Sequence, residues 1–401
     1  MKKFFLFLFI TIFCFFPIIA DDLDDSEYAD DLDNFSEFDD LSDVDDFDAL
    51  FDDAPEDVVI EEAPVPTVIQ ETANTSILKF TGSFSGKIGA TCIYDNKQSE
   101  SPLSPGGLVE ISNTLSMSAK PSDIFGVFGS VKTAFANKFT LEVSSLYFNS
   151  LILDAIYLSA GKKSISWGNL RLFSNTVMSD SGNSLTCEMR YPWALGTLSG
   201  VILYNYNKYG ANAESFTWEN LNFAGAADIT VLNTNINAFV RKYPVSEVPS
   251  HKTIAGLELK RTLWGFDTYV QGIAFFGQRF DKITATGGFY KLWDGITPNL
   301  GINIEYQYTF NKNPAQNEKI HGHAVKLQFG IRKIGPAKNM KGAVEWSHDF
   351  IAETGNVNVA FIISSLIPYA DWTNGVKITY GGNYSVPKIE FGTALCFNLS
   401  Y

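Results

Sequence analysis

Residues Asn299 to Phe310 read NLGINIEYQYTF and alternate without a break. Leu300, Ile302, Ile304, Tyr306, Tyr308 and Phe310 fall on one set of positions. Asn299, Gly301, Asn303, Glu305, Gln307 and Thr309 fall on the other. Successive strand residues point to opposite faces of a sheet, so this is a strand with one apolar and one wet face. A helix would repeat its apolar positions every three or four residues instead. The pattern returns at 325–332, where Val325, Leu327, Phe329 and Ile331 oppose Lys326, Gln328, Gly330 and Arg332. It returns again at 376–381, where Val376, Ile378 and Tyr380 oppose Lys377, Thr379 and Gly381.

From Ile77 onward the chain is a succession of such segments, each roughly ten residues long, the span of a membrane-crossing β-strand. A soluble β-sandwich also alternates. Two features weigh against it here: the segments outnumber those of one sandwich, and their polar faces carry charges in mid-strand. The apolar faces stay rich in aromatics to the end, as in GTALCFNLSY, Gly392–Tyr401. The expected fold is therefore all-β, a transmembrane antiparallel barrel.

Counting strands tests this reading. Short connections near 231–233, 263–265, 293–297, 335–339 and 367–371 belong on one rim, with 120–123 and 149–151. Longer ones at 96–106, after Gly161, and at 207–219, 243–251 and 311–320 belong on the other. The two sets alternate correctly only if 165–194 contains one more strand. SLTCEMRY supplies it, with Leu185, Cys187, Met189 and Tyr191 against Thr186, Glu188 and Arg190. The count is then about 18, with 16 as the alternative. Trp193, Trp264, Trp293 and Trp372 all fall at the short-turn rim, where aromatic rings suit a membrane interface.

The N-terminus has a different character. Residues 1–20, MKKFFLFLFITIFCFFPIIA, have the basic start, apolar core and small final residue of a secretory signal peptide. Residues 21–76 form an acidic tail. Of the chain's 45 acidic residues, 22 lie between Asp21 and Leu78, with no Lys or Arg among them. The remaining body, 77–401, holds 28 of the 30 basic residues against 23 acidic ones, a balance of about +5. Such a tail repels itself and buries too little to offset chain entropy, so disorder is expected. Either it is a solvated linker, or it docks on a periplasmic partner or in the barrel's own lumen. Three cysteines remain after cleavage, Cys92, Cys187 and Cys396, and all are expected as free thiols.

Two stretches resemble known families. The final strand, with Leu395, Phe397, Leu399 and Tyr401, resembles the terminal signature of bacterial outer-membrane barrels, which implies the barrel-assembly machinery as a partner. The segment AGKKSISWGNLRLF, Ala160–Phe173, resembles a motif of phosphate- and carbohydrate-type porins and alginate-export-like barrels. Gly161, Lys162, Trp167, Gly168 and Arg171 carry that likeness. Trp167 reads equally well as an interface anchor. The resemblance implies an outer-membrane location, lipid contact, periplasmic termini and a possible homotrimer.

A barrel of this size encloses a water-filled lumen, and inward charges tune its selectivity. Alternation turns Lys79, Lys87, Glu110, Lys132, Glu142, Asp154, Lys162, Glu188, Arg190, Glu258, Lys260, Glu305, Lys326, Arg332, Lys377 and Glu390 inward. Mixed signs imply weak selectivity, leaning to anions because the body is positive. Residues 165–183 are the candidate constriction, with Arg171 and Asp180 as its charges. The expected function is diffusion of small hydrophilic solutes. The alternatives are a substrate-specific or hydrophobic-compound transporter, or a surface-displayed adhesin.

Nothing points to an enzyme or a cofactor. His321 and His323 share one strand face, but no third metal ligand is evident. Ser347 and His348 are strand neighbours that face apart, so they form no catalytic pair. No phosphate-binding glycine loop or CxxC occurs, and the mild positive balance does not support nucleic-acid binding.

Overall fold

The computed structural model describes residues 78–401 except 96–101, 137, 174–177, 181–183, 210–216, 245–252, 278–279, 295, 297, 314–317, 336–338, 368, 383 and 401. The signal segment 1–20, the acidic tail 21–76 and Tyr401 thus lie outside the described residues.

Alternation becomes strands along the whole body. In chain order these are β1 (Leu78–Tyr94), β2 (Leu103–Ser122), β3 (Phe125–Phe135), β4 (Phe139–Ile152) and β5 (Ile156–Lys162). Two short strands follow, β6 (Ile165–Trp167) and β7 (Met178–Asp180). Next come β8 (Leu185–Trp193), β9 (Gly196–Tyr204), β10 (Leu221–Val231), β11 (Thr234–Lys242) and β12 (Thr253–Leu263). Then come β13 (Phe266–Phe276), β14 (Phe280–Trp293), β15 (Asn299–Asn313) and β16 (Glu318–Ile334). The last are β17 (Met340–Asp349), β18 (Thr354–Ile367), β19 (Ala370–Gly381) and β20 (Tyr384–Ser400).

All but β6 and β7 belong to one 18-stranded sheet. Each strand pairs antiparallel with its chain neighbour, and β5 pairs with β8 across the insertion. The sheet closes on itself because β1 also pairs with β20, from Ser83–Ser400 to Tyr94–Ile389. Closure leaves no row of unpaired backbone groups at an edge. SLTCEMRY is β8, so the count is 18 rather than 16.

The rims differ as expected. The two-residue turns Leu232–Asn233 and Trp264–Gly265 carry positive φ at both positions. That mirror-image geometry matches the right-handed twist of the flanking strands. Asp154 takes positive φ in the turn after β4, so it belongs to the rim and not to a wall row. The opposite rim carries longer connections, and pairing runs further into some of them than alternation suggests. Leu103–Gly106 join β2, and 311–313 and 318–320 join β15 and β16. Ladder bonds are made by the backbone, so polar residues and glycine, as in Ser104, Gly106 and Asn311–Asn313, extend a strand without an alternating apolar signature.

The outward rows are apolar and exposed: Leu257, Val270 and Tyr306 show 48%, 57% and 44% of their surface. The inward rows beside them hold Glu258 at 1% and Glu305 at 0%. Among the described residues a cluster of buried apolar side chains lies inside the wall, on β9 to β13, with Ile165 of β6 against it.

Candidate functional site

What buries that inner wall is the segment between β5 and β8. Gly161 starts it with φ +136°, and a Cβ there would stand 2.2 Å from the carbonyl oxygen of Leu146. Only glycine fits this exit. The chain then turns back, and Ile165–Trp167 pairs with Met178–Asp180 in a two-stranded ribbon.

The ribbon's first residue is its apolar anchor. Ile165 is 5% exposed and packs on Val201, Leu203, Ala224, Phe239, Ile254 and Ile273, with Trp167 against the same cluster. By register these wall positions share the inward row of charged groups: Val201 opposes Glu188, and Ile254 opposes Arg241. An apolar patch facing a wet lumen would be costly, and the segment covers it. Burial of a side chain of this size stabilises by about 1.5–3 kcal/mol. Trp167 is therefore part of the docked segment, not an anchor on the outer surface.

Beyond the ribbon the segment runs along the polar rows of β12 to β16. The Asn169 amide donates to Glu258 Oε2 at 3.0 Å, and its side-chain Nδ2 donates to Oε1. The backbone N–H of Arg171 donates to Glu305 Oε1 at 2.6 Å, and that of Phe173 to Oε2 at 2.7 Å. Lys326 Nζ returns a bond to the Leu172 carbonyl at 2.8 Å. The carboxylates are braced from the wall, Glu305 by the Tyr269 hydroxyl at 2.6 Å and Glu258 by Gln271 at 2.8 Å. Hydrogen bonds to ionised acceptors are about twice as strong as neutral ones. The segment is thus held by alternate backbone N–H groups on two buried carboxylates.

Two side chains complete this contact. The Arg171 guanidinium lies over the Tyr290 ring at 3.8 Å, and its Nη2 is buried with no hydrogen-bond partner among the described residues. Lys326 also lies over Phe173, at 5.2 Å. At the segment's base, Glu188 is 2% exposed and takes Lys163 at 2.6 Å and Arg190 at 2.7 Å.

These placements sort the residues singled out from the sequence. Glu258, Glu305 and Lys326 come together, but as anchors of the segment. Neither carboxylate is free to meet a solute. Arg190 spends its charge on Glu188. Lys162 falls in register with Leu146 and Leu185, positions on the outward row, because the ladder of β5 runs unbroken and places it on the row of Leu158 and Ala160. Its ammonium still reaches Glu142 at 3.1 Å, whose side chain is 61% exposed. Lys132 is exposed and opposes Glu142 in register. Lys260 opposes Tyr269, and Arg332 opposes Asn299. Lys377 opposes Glu390, which takes Lys388 at 3.2 Å. The Asp180 backbone opposes Ile165 in the ribbon, and its side chain is outside the described residues. Leu395, Phe397 and Leu399 share the outward row with Ile88 and Phe84. Alternation missed Lys163, Asn169 and Tyr269, since it shows which face a residue takes and not what lies across the barrel.

No family model matches the chain, and no curated protein matches it in sequence. Solved structures do match. The chain superposes on Pseudomonas aeruginosa OccD3 (OpdP) with a TM-score of 0.53 at 7% identity, covering 82% of this chain and 93% of that one. It superposes on OccK2 (OpdF) of the same organism, in complex with glucuronate, at TM-score 0.54 and 8% identity, covering 80% and 98%. OpdK of that organism, with vanillate, gives 0.51 at 10% identity, covering 80% and 99%. The likeness is one of fold. At such identities no residue of those proteins is carried over, and the function must come from the geometry above.

Proposed function

We propose that the chain is an outer-membrane porin passing small hydrophilic solutes, with a lumen narrowed by residues 163–173. One observation carries this: the segment leaves β5, crosses inside the closed wall and docks on β12 to β16. An apolar outward surface on a closed antiparallel barrel suits a bilayer, and mixed inward charges suit water. In this reading the short-turn rim and both barrel termini face the periplasm, and β20 is the strand the assembly machinery reads. Of the inward charges proposed as pore-lining, Lys132, Glu142, Lys260, Arg332 and Lys377 remain beside the open path, while Glu390 is buried and held by Lys388. Arg171 is the constriction charge, and its guanidinium, fixed on the Tyr290 ring, lends the narrowing a positive field that favours anions. Glucuronate and vanillate, bound in two of the fold neighbours, are both carboxylates, which fits that preference. A second reading, a substrate-specific channel, is favoured by the docked segment itself. Liposome swelling with sugars of graded size separates the two. Smooth decline with solute size supports a diffusion pore. No graded permeation, with permeation of one carboxylate alone, would replace it with a specific channel.

A further inference from the structure

The short turn between β12 and β13 carries a residue that its own geometry disfavours. Trp264 and Gly265 take φ +53° and +74° there. That mirror-image turn suits Asn-Gly or Asp-Gly, because a bulky side chain at positive φ crowds the backbone. Trp264 nevertheless holds the first position, with 95% of its surface exposed. Leu153 and Leu232 also take positive φ in turns of this rim, exposed 70% and 86%. Strain combined with exposure stabilises nothing inside the barrel, so these side chains are set for something outside it.

Two cations flank Trp264 on the outward face. Arg261 opposes Thr268 in register and follows Leu257 and Leu259 on the apolar row, where it is exposed. Lys291 opposes Ile302, on the row of Phe289. Its ammonium lies over the rings of Phe266 at 5.6 Å and Trp293 at 6.0 Å. It reaches the turn itself, since a Cβ on Gly265 would stand 2.5 Å from Lys291 Nζ. Among the described residues neither cation meets a carboxylate. Asp267 lies on the inward row with Tyr290 and accepts from Thr262 Oγ1 at 2.7 Å, and Asp294 is exposed just past β14. The neighbouring strands add Ile236 and Ile302 to this face. Two cations beside an exposed indole, on an otherwise apolar wall, suit one anion that carries apolar chains.

We propose that Arg261, Trp264 and Lys291 bind the phosphodiester of an anionic phospholipid at the short-turn rim. The phosphate oxygens accept from the guanidinium and the ammonium, and the Trp264 indole N–H donates at the same level. The acyl chains run along Leu263, Phe289 and Ile302 on the outward wall. The rings of Phe266 and Trp293 hold the ammonium toward the rim before any lipid arrives. The claim rests on the porin reading above for its leaflet, the periplasmic one, whereas the site itself needs only the apolar outward wall.

The test uses the full mature chain in neutral detergent micelles, titrated with phosphatidylglycerol and followed by native mass spectrometry. One lipid should be retained, well above phosphatidylcholine with the same acyl chains. Each basic residue near anionic lipid gives about a five-fold gain, so Arg261→Gln with Lys291→Gln should cost roughly 25-fold. Trp264→Asn is the sharper variant. Asparagine is at ease at φ +53° before a glycine, so Tm should hold or rise while phosphatidylglycerol retention falls. A tryptophan that merely braced the turn would give the opposite pair of results. Unchanged single-channel conductance shows each variant's barrel intact. Equal retention of phosphatidylcholine, no loss in the double variant, or full retention by Trp264→Asn overturns the proposal. So does displacement by millimolar inorganic phosphate, which would mark a free-anion site. Micelles have no sidedness, so lipid retention without conductance steps would sink the porin reading and leave this site standing.

Discussion

Replacing Glu305 by Gln is expected to release the segment Asn169–Phe173 from the barrel wall. Glu305 accepts backbone N–H groups on both oxygens, Arg171 on Oε1 and Phe173 on Oε2, and is 0% exposed. An amide offers one oxygen and one NH2, so one backbone donor loses its acceptor and faces another donor. Losing one charge-assisted bond costs about 1.5–3 kcal/mol, and a buried unsatisfied donor costs about 1–3 more. Removing a buried charge recovers part of its desolvation cost, so the low end applies, about 2.5 kcal/mol. That shifts the docked-to-released ratio by roughly 70-fold. The strand ladders do not depend on Glu305, so the barrel itself should fold. In planar bilayers, E305Q should show larger or flickering steps, and E258Q/E305Q more so. E345Q, an inward carboxylate on β17 opposite Gln328, serves as the control. If the double variant kept the wild-type step size and noise, the docking argument would be wrong.

Other consequences follow from the same geometry. Arg171→Gln removes the positive charge stacked on Tyr290, and the reversal potential in a salt gradient should move toward cation preference. Gly161→Ala forces a Cβ into the Leu146 carbonyl at φ +136°, a strain of order 1–3 kcal/mol, and should lower the refolding yield. The mature chain should titrate three free thiols without reductant, since Cys92, Cys187 and Cys396 are all unpaired. Cys396 lies on the row of Lys87 and Asp371, and Cys92 on that of Phe391. A charged, membrane-impermeant thiol reagent should therefore reach Cys396 first. Deleting residues 21–75 should leave unitary conductance and its salt dependence unchanged if the acidic tail is a tether. A rise confined to low salt would make it a plug, because screening sets in over about 8 Å at physiological salt.

Alternation and parity alone carried most of the fold. A period of two is local, since each side chain reports its own face, and NLGINIEYQYTF is legible as a strand without a partner. The extra strand in SLTCEMRY came from counting, because a closed wall with both ends on one rim demands an even number. Strand ends were less legible. Backbone pairing continues through 311–313 and 318–320, where Ile320 is the one apolar residue and no alternation marks it.

The site divides differently. The sequence identified 165–183 as a candidate constriction and turned Glu258 and Glu305 inward. It could not show that these carboxylates hold that segment, whose amides stand 89 and 134 residues earlier in the chain. Nor could it show that Ile254 and Ile273 line the inside under Ile165. An apolar residue on an inward row looks like noise in an alternating pattern until something is seen to cover it. Period and parity are properties of one strand and of a count, so the sequence determined the barrel by itself. Which inward groups stay free, and which are spent on holding a segment across the lumen, depends on contacts between distant parts of the chain. Only the closed barrel brings those within 3 Å.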